Sequence, residues 1–211
     1  MTAAVVILTF PVAACDSQEQ AKEPKAEATP STLCGVQLSA GARKALLNLV
    51  GGKELDSNGS KESLSDTARA LASGYHENGA DDYEEYDLCT AFGSATTAGA
   101  DLSFYLSEKV PTSISPKFTQ YDMGELTLSR PSHAALYMKC SSDKFRSSSK
   151  PILIEGKLTN AQAPPGDAEK VREENLNVLH AVTLAMAKQL GCERDADLPQ
   201  QFSSPPKLTE D

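Results

Sequence analysis

Between residues 36 and 190 the apolar positions change period twice, and each change marks a change of secondary structure. Behind Cys34, the run SAGARKALLNLVG sets Ala42, Leu46, Leu49 and Val50 on one helical face. Ser39 stands where an N-cap accepts a backbone N–H and Gly51-Gly52 stops the run, which predicts a helix over 39–50. In GSKESLSDTARALASGY, Leu64, Ala68, Leu71 and Ala72 form a second, weaker stripe with Ser63 or Ser65 as cap, so a helix is expected near 62–74.

From Tyr83 onward the pattern alternates. Leu102, Phe104 and Leu106 face one way and Ser103, Tyr105 and Ser107 the other, which is the mark of a half-buried strand. AALYMKC (134–140) and PILIEGKLT (151–159) read likewise, as do YDLCTAFG near 86–93 and GELTLSR near 124–130. Period then returns to 3.6. Pro164-Pro165-Gly166 breaks the last strand, Asp167 can cap, and Val171, Val178, Leu179, Val182, Met186 and Leu190 make the buried stripe of a long helix ended by Gly191. The fold class that follows is α+β: an antiparallel sheet of about five strands, packed by two N-terminal helices and one long C-terminal helix. With short separators the economical topology is a meander, and the sheet face bearing Tyr105 and Tyr137 would be left as a contact surface.

The ends follow different rules. Residues 3 to 10 are a short apolar run, and Val12-Ala13-Ala14-Cys15 places small residues before a cysteine. This resembles the bacterial lipobox, in which a peptidase accepts the small residues closely and the cysteine thiol is acylated. It implies a signal peptide over 1–14 and a lipidated Cys15, hence a membrane anchor with palmitate-type acylation on the extracytoplasmic side. Met1-Thr2 carries neither Lys nor Arg, which leaves room for a start upstream of Met1. Residues 16 to 33 hold a single large apolar side chain and read as a tether of up to about 60 Å. A single domain over 34–194 and a proline-rich tail over 195–211, frayed or hugging the surface, complete the division.

With Cys15 set aside, Cys34, Cys89, Cys140 and Cys192 remain, an even number in an exported chain, and two disulfides are expected. Four cysteines admit three connectivities. We favour Cys34–Cys89 and Cys140–Cys192, each closing a loop of about 50 residues and contributing about 4 kcal/mol on the chain-entropy view. No C-x-x-C and no zinc spacing occurs, so neither metal nor other cofactor is expected.

Composition narrows the partners. A net charge of −9 over 211 residues, without a basic stripe, disfavours nucleic acid. Against that acidity Lys139, Lys144, Arg146 and Lys150 cluster around KCSSDKFRSSSK, a candidate contact for anionic headgroups or wall polymers. Catalytic signals are thin. Ser141 and Lys144 stand at S-x-x-K spacing but follow a strand, where the pair would not share a helical turn. His76, His133 and His180 fall in separate elements, and the acidic run from Asp81 to Asp87 lacks the glycine and alternation of a calcium loop.

The lipobox, the tether, a cysteine opening an amphipathic helix, the strand LYMKC and the segment ENLNVLHAVTLAMAKQLGCERDADLP together resemble a family of uncharacterised actinobacterial secreted lipoproteins. The resemblance implies place and fold, and no activity. The expectation is a membrane-anchored, extracytoplasmic lipoprotein acting as a non-catalytic binding or accessory module of the cell envelope, its partner an envelope protein or wall polymer. A small envelope hydrolase with an unconventional site is the alternative.

Overall fold

The computed structural model describes residues 32–56, 63–81, 84–94, 98–145 and 150–208. Cys15 and the signal and tether expected over 1–31 lie outside these residues. The first described residues, Thr32 and Leu33, fall in the stretch read as tether. Strands β1 (Thr32–Leu33) and β2 (Val36–Gln37) form a small hairpin, and Leu33, the one large apolar side chain assigned to the tether, is buried. Both turn residues, Cys34 and Gly35, have left-handed backbones at φ 54° and 80°, the geometry whose twist suits a two-residue hairpin.

Helix α1 (Ala40–Val50) starts where expected, with the Ser39 side chain accepting from the Ala42 N–H, and ends at left-handed Gly51. Helix α2 (Leu64–Asn78) takes Ser63 as its cap and runs four residues beyond its expected end. Gly74, at the expected end, is a buried residue within α2.

The main sheet has seven strands, all paired antiparallel. In chain order they are β3 (Leu55–Asp56), β4 (Tyr86–Gly93), β5 (Gly99–Ser107), β6 (Thr119–Tyr121), β7 (Leu126–Arg130), β8 (His133–Cys140) and β9 (Ile152–Asn160). The five expected strands are all present, and β3 and β6 are short edge additions. The meander is corrected: the spatial order is β3-β4-β5-β9-β8-β7-β6. After β5 the chain crosses to the far edge and returns through β6, β7 and β8, so that β9 closes against β5 over eight register pairs from Ala100↔Asn160 to Ser107↔Leu153. The separator that makes this crossing, residues 108–118, carries Pro111 and Pro116 and is too long for a hairpin turn.

That crossing also changes the second face of the sheet. One face packs the three helices, with Leu102, Phe104, Leu136, Met138, Ile154 and Leu158 buried beneath them. On the other, Val110, Ile114 and Phe118 of the crossing segment lie over Leu126, Leu128, Ala135, Tyr137 and Leu153. Tyr137 is therefore buried, at 7% exposure, and does not belong to an open contact surface; Tyr105, beyond the reach of the segment, is half-buried.

Helix α3 (Ala168–Leu190) begins at Asp167, whose carboxylate accepts from the N–H groups of Glu169 and Lys170, and ends at left-handed Gly191. All six residues of its expected stripe are buried. So is Asn175, whose amide donates to the Arg130 carbonyl at 3.0 Å and accepts from Asn160 at 2.9 Å, pinning the β7–β8 turn to the helix. The disulfides are Cys34–Cys89, tying the small hairpin to β4, and Cys140–Cys192, tying the end of β8 to the end of α3.

The tail hugs the surface and is anchored. Pro199 and Phe202 pack at His180, Ser204 bonds Glu173, and residues 206–208 pair with the β6 edge through the Asp122 N–H to Pro206 carbonyl and the Leu208 N–H to Gln120 carbonyl. No helix of the described residues is long and apolar enough to cross a membrane.

Candidate functional site

Among the described residues, three places at the surface gather polar side chains in a way that could serve a ligand or a reaction. The first is the open half of the sheet's second face. Antiparallel register sets Tyr105 and Tyr137 on either side of Glu155, and Ser103 beside Lys157 in the next row. The Lys157 ammonium donates to the Tyr105 hydroxyl at 2.6 Å and to Glu85 at 3.1 Å, and Ser103 donates to the same Glu85 oxygen at 2.7 Å. Hydrogen bonds from Tyr105 first, then Ser103 and Lys157, hold the Glu85 carboxyl below its usual range despite some desolvation. Burial pushes the Glu155 carboxyl up, partly offset by the Tyr137 hydroxyl. Burial likewise raises Tyr137 and Tyr105; Lys157 is desolvated too, yet the hydrogen bonds it donates to Tyr105 and Glu85 outweigh that and raise it.

These directions say what the cluster can do. A lysine nucleophile or tyrosinate base needs a lowered pKa, whereas Lys157 is held as ammonium and Tyr105 as phenol. The row fixes charge. Its one feature with catalytic character is the divergence of two carboxyls on one face, Glu155 up and Glu85 down.

His133, at the end of β8, faces Thr159 across the pair, with its Nδ1 3.1 Å from the hydroxyl, and packs edge-on against Phe118. Desolvation, then the charges of Lys157 and Arg130, lower it to about 4. It is neutral near pH 7 and is covered by Phe118 of the crossing segment.

The second place is a cleft of about 400 Å³ between α2 and the end of α3, where Arg69, His76 and Lys144 gather with Ser65 and Ser73. Two of its cations are engaged: Arg69 with Asp66 at 2.9 Å, and Lys144 with the Gln189 carbonyl at the end of α3.

The third is a larger cleft of about 620 Å³, floored by Ala181, Leu184 and Ala185 of α3. One wall is the β2–α1 connection with Gln37 and Ser39, and the other is the tail with Gln200, Gln201 and Phe202. Gln37, Asn177, Gln200 and Gln201 all line it, and none of the four side chains has a hydrogen-bond partner among the described residues. His180, 2% exposed, stands at its base with Nε2 2.7 Å from the Pro199 carbonyl and its ring 5.6 Å from that of Phe202. Burial lowers His180, so the ring is neutral and donates through Nε2, leaving Nδ1 an acceptor.

Of the expected basic cluster, Lys139 and Lys144 point to different sides of the sheet. Lys139 projects from the second face of the sheet and pairs with Glu125 at 2.7 Å, whereas Lys144 reaches across the helical side to α3. Lys150 follows the described gap and has its own interaction, and Arg146 lies outside the described residues. The Ser141–Lys144 spacing serves the joint of β8 with α3: the Ser141 N–H donates to Asp195 and Lys144 caps Gln189. Of the acidic run, Glu85 joins the sheet-face network, and among the described residues no three His, Cys, Asp or Glu side chains gather as a metal site.

Sequence reading missed the third cleft entirely. Its only trace was the pair Ala181 and Ala185, small residues four apart beside the apolar stripe, together with two glutamines and a phenylalanine in a tail otherwise lacking pattern. Comparison with protein-family profiles, with curated proteins and with solved structures finds no match for this chain.

Proposed function

We propose that the chain is a lipoprotein anchored through Cys15 to the extracytoplasmic face of the membrane, and that it works by binding an envelope protein or wall polymer without catalysis. The observation that carries the binding half is the α3 cleft, with four carboxamides unpartnered within the described residues, over an apolar floor. Three of the four, Gln37, Gln200 and Gln201, are exposed, so their donors and acceptors are open to a ligand around an apolar base. The anchoring half is supported by Val12-Ala13-Ala14-Cys15 and by two disulfides, which suit an oxidising compartment. Intact-mass analysis of the membrane-derived protein tests the anchor. Acylated Cys15 at the new N-terminus, and release from the membrane fraction on Cys15→Ala, are expected; an unacylated Cys15 or a retained signal overturns it.

A second reading, a small envelope hydrolase, is favoured only by the divergent pair Glu155 and Glu85. It requires that purified wall polymer release new reducing ends or amines with the wild-type chain and not with Glu155→Gln. No release from wild type removes it.

A further inference from the structure

The α3 cleft differs from the surrounding surface in charge, in hydrogen bonding and in shape. The chain carries 29 acidic residues, yet no Asp or Glu lines this cleft, and its single charged side chain is Lys188 at one end. Its carboxamides present donors and acceptors on both walls, and the backbone N–H groups of Gln200, Gln201 and Phe202 make no backbone hydrogen bond among the described residues. The floor is long and shallow. Asn177, Ala181, Ala185 and Lys188 recur on one side of α3, a span of about 16 Å along the helix axis, the length of about five residues of extended chain.

We infer that this trough takes an extended, uncharged peptide with small apolar side chains, its main chain hydrogen-bonded by Gln37, Asn177, Gln200 and Gln201 and its methyl-sized side chains seated on Ala181 and Ala185. The inference rests on the binding reading above and names its ligand class. A peptide main chain offers alternating N–H and C=O groups that must find partners when buried, and carboxamides on both walls supply both kinds. One wall carries the two-residue strand β2 and the other an irregular stretch of tail that bends at Gln200 and Gln201, so the walls present carboxamides and main-chain groups from two separate segments. The floor presents the half-buried methyl groups of Ala181 and Ala185 beside Leu184, an apolar seat for small side chains. A neutral glycan fits less well: Phe202 is the one aromatic carbon ring in the lining, it is tilted 54° against His180, and the chain contains no tryptophan.

The test is fluorescence polarisation of the full chain with N-terminally fluorescein-labelled hexaalanine, with labelled hexaglutamate and maltohexaose as comparison probes. Saturable binding of hexaalanine is expected, at least tenfold tighter than hexaglutamate and without displacement by maltohexaose. Ala185→Phe, which fills the floor, should weaken it at least tenfold. The double variant Gln200→Ala with Gln201→Ala, at two exposed positions that leave the fold intact, should weaken it about tenfold. No binding at millimolar protein, binding indifferent to both variants, or displacement by maltohexaose overturns the peptide assignment. If hexaalanine fails while Ala185→Phe still abolishes attachment to isolated envelopes, the ligand class falls and the binding reading stands. If envelope attachment is also indifferent to Ala185→Phe, both fall.

Discussion

Where β9 meets α3, the neighbouring residues Gly156 and Thr183 make opposite predictions. A Cβ on Gly156 would stand 2.6 Å from Thr183 Oγ1 and 3.3 Å from the Phe104 ring, so Gly156→Ala forces strand and helix apart and should cost about 1–3 kcal/mol. Thr183 is fully buried and its hydroxyl has no hydrogen-bond partner, so Thr183→Val, which keeps the shape and removes the unpaired group, should gain about 1 kcal/mol. Urea unfolding of the two variants checks both signs. His133 sets a pH dependence. Folded, it stays neutral down to about 4, whereas in the unfolded chain it protonates near the ordinary 6.5. Between those values the unfolded state binds more protons, so this contribution to stability is lost as pH falls from about 6.5 to about 4. Glu155, pushed upward, works in the opposite sense, losing stability as pH rises above its ordinary 4.5. The readout is therefore the difference between wild type and His133→Gln, which should shrink steadily as pH falls from 6.5 to 4.

At the scale of elements the disulfides do unlike jobs. Cys140–Cys192 closes a separation of 52 residues and fixes the end of α3 to β8, where Ser142 and Lys144 also cap the last carbonyls of the helix. Replacing both cysteines by serine should lower the unfolding free energy by about 4 kcal/mol, measured in urea, most of it through the freer unfolded chain. The elements themselves were legible because their signals are local: Ser39, Asp167 and Gly191 cap as their types demand, and the alternation through Leu102, Phe104 and Leu106 gave both strand and buried face. Their order in the sheet was not. Nothing within β5 says that its next neighbour is β9, because that choice is made by an eleven-residue crossing whose Val110, Ile114 and Phe118 find their apolar partners on β7, β8 and β9. The same long-range event buried Tyr137.

For the whole molecule, the cleft was the least visible feature, because it is made by three stretches more than a hundred residues apart in places: Gln37 to Gly41, the outer side of α3, and a tail without periodicity. Only the tail's anchoring by His180, Glu173 and the β6 edge creates its second wall. The helices and sheet then act as a rigid base, while the ionic row on the second face, with its lysine and tyrosine held protonated, contributes fixed charge. The reading proposed above, a lipid-anchored domain that binds through the α3 cleft, rests on the lipobox resemblance and on this cleft. The most direct test is site-specific photo-crosslinking in cells expressing the full chain, with a benzoylphenylalanine at Gln201 in the cleft or at exposed Glu77 on α2. The account predicts envelope adducts from position 201 that Ala185→Phe abolishes and that position 77 does not give. Adducts of equal yield from both positions, or none from 201, would contradict it.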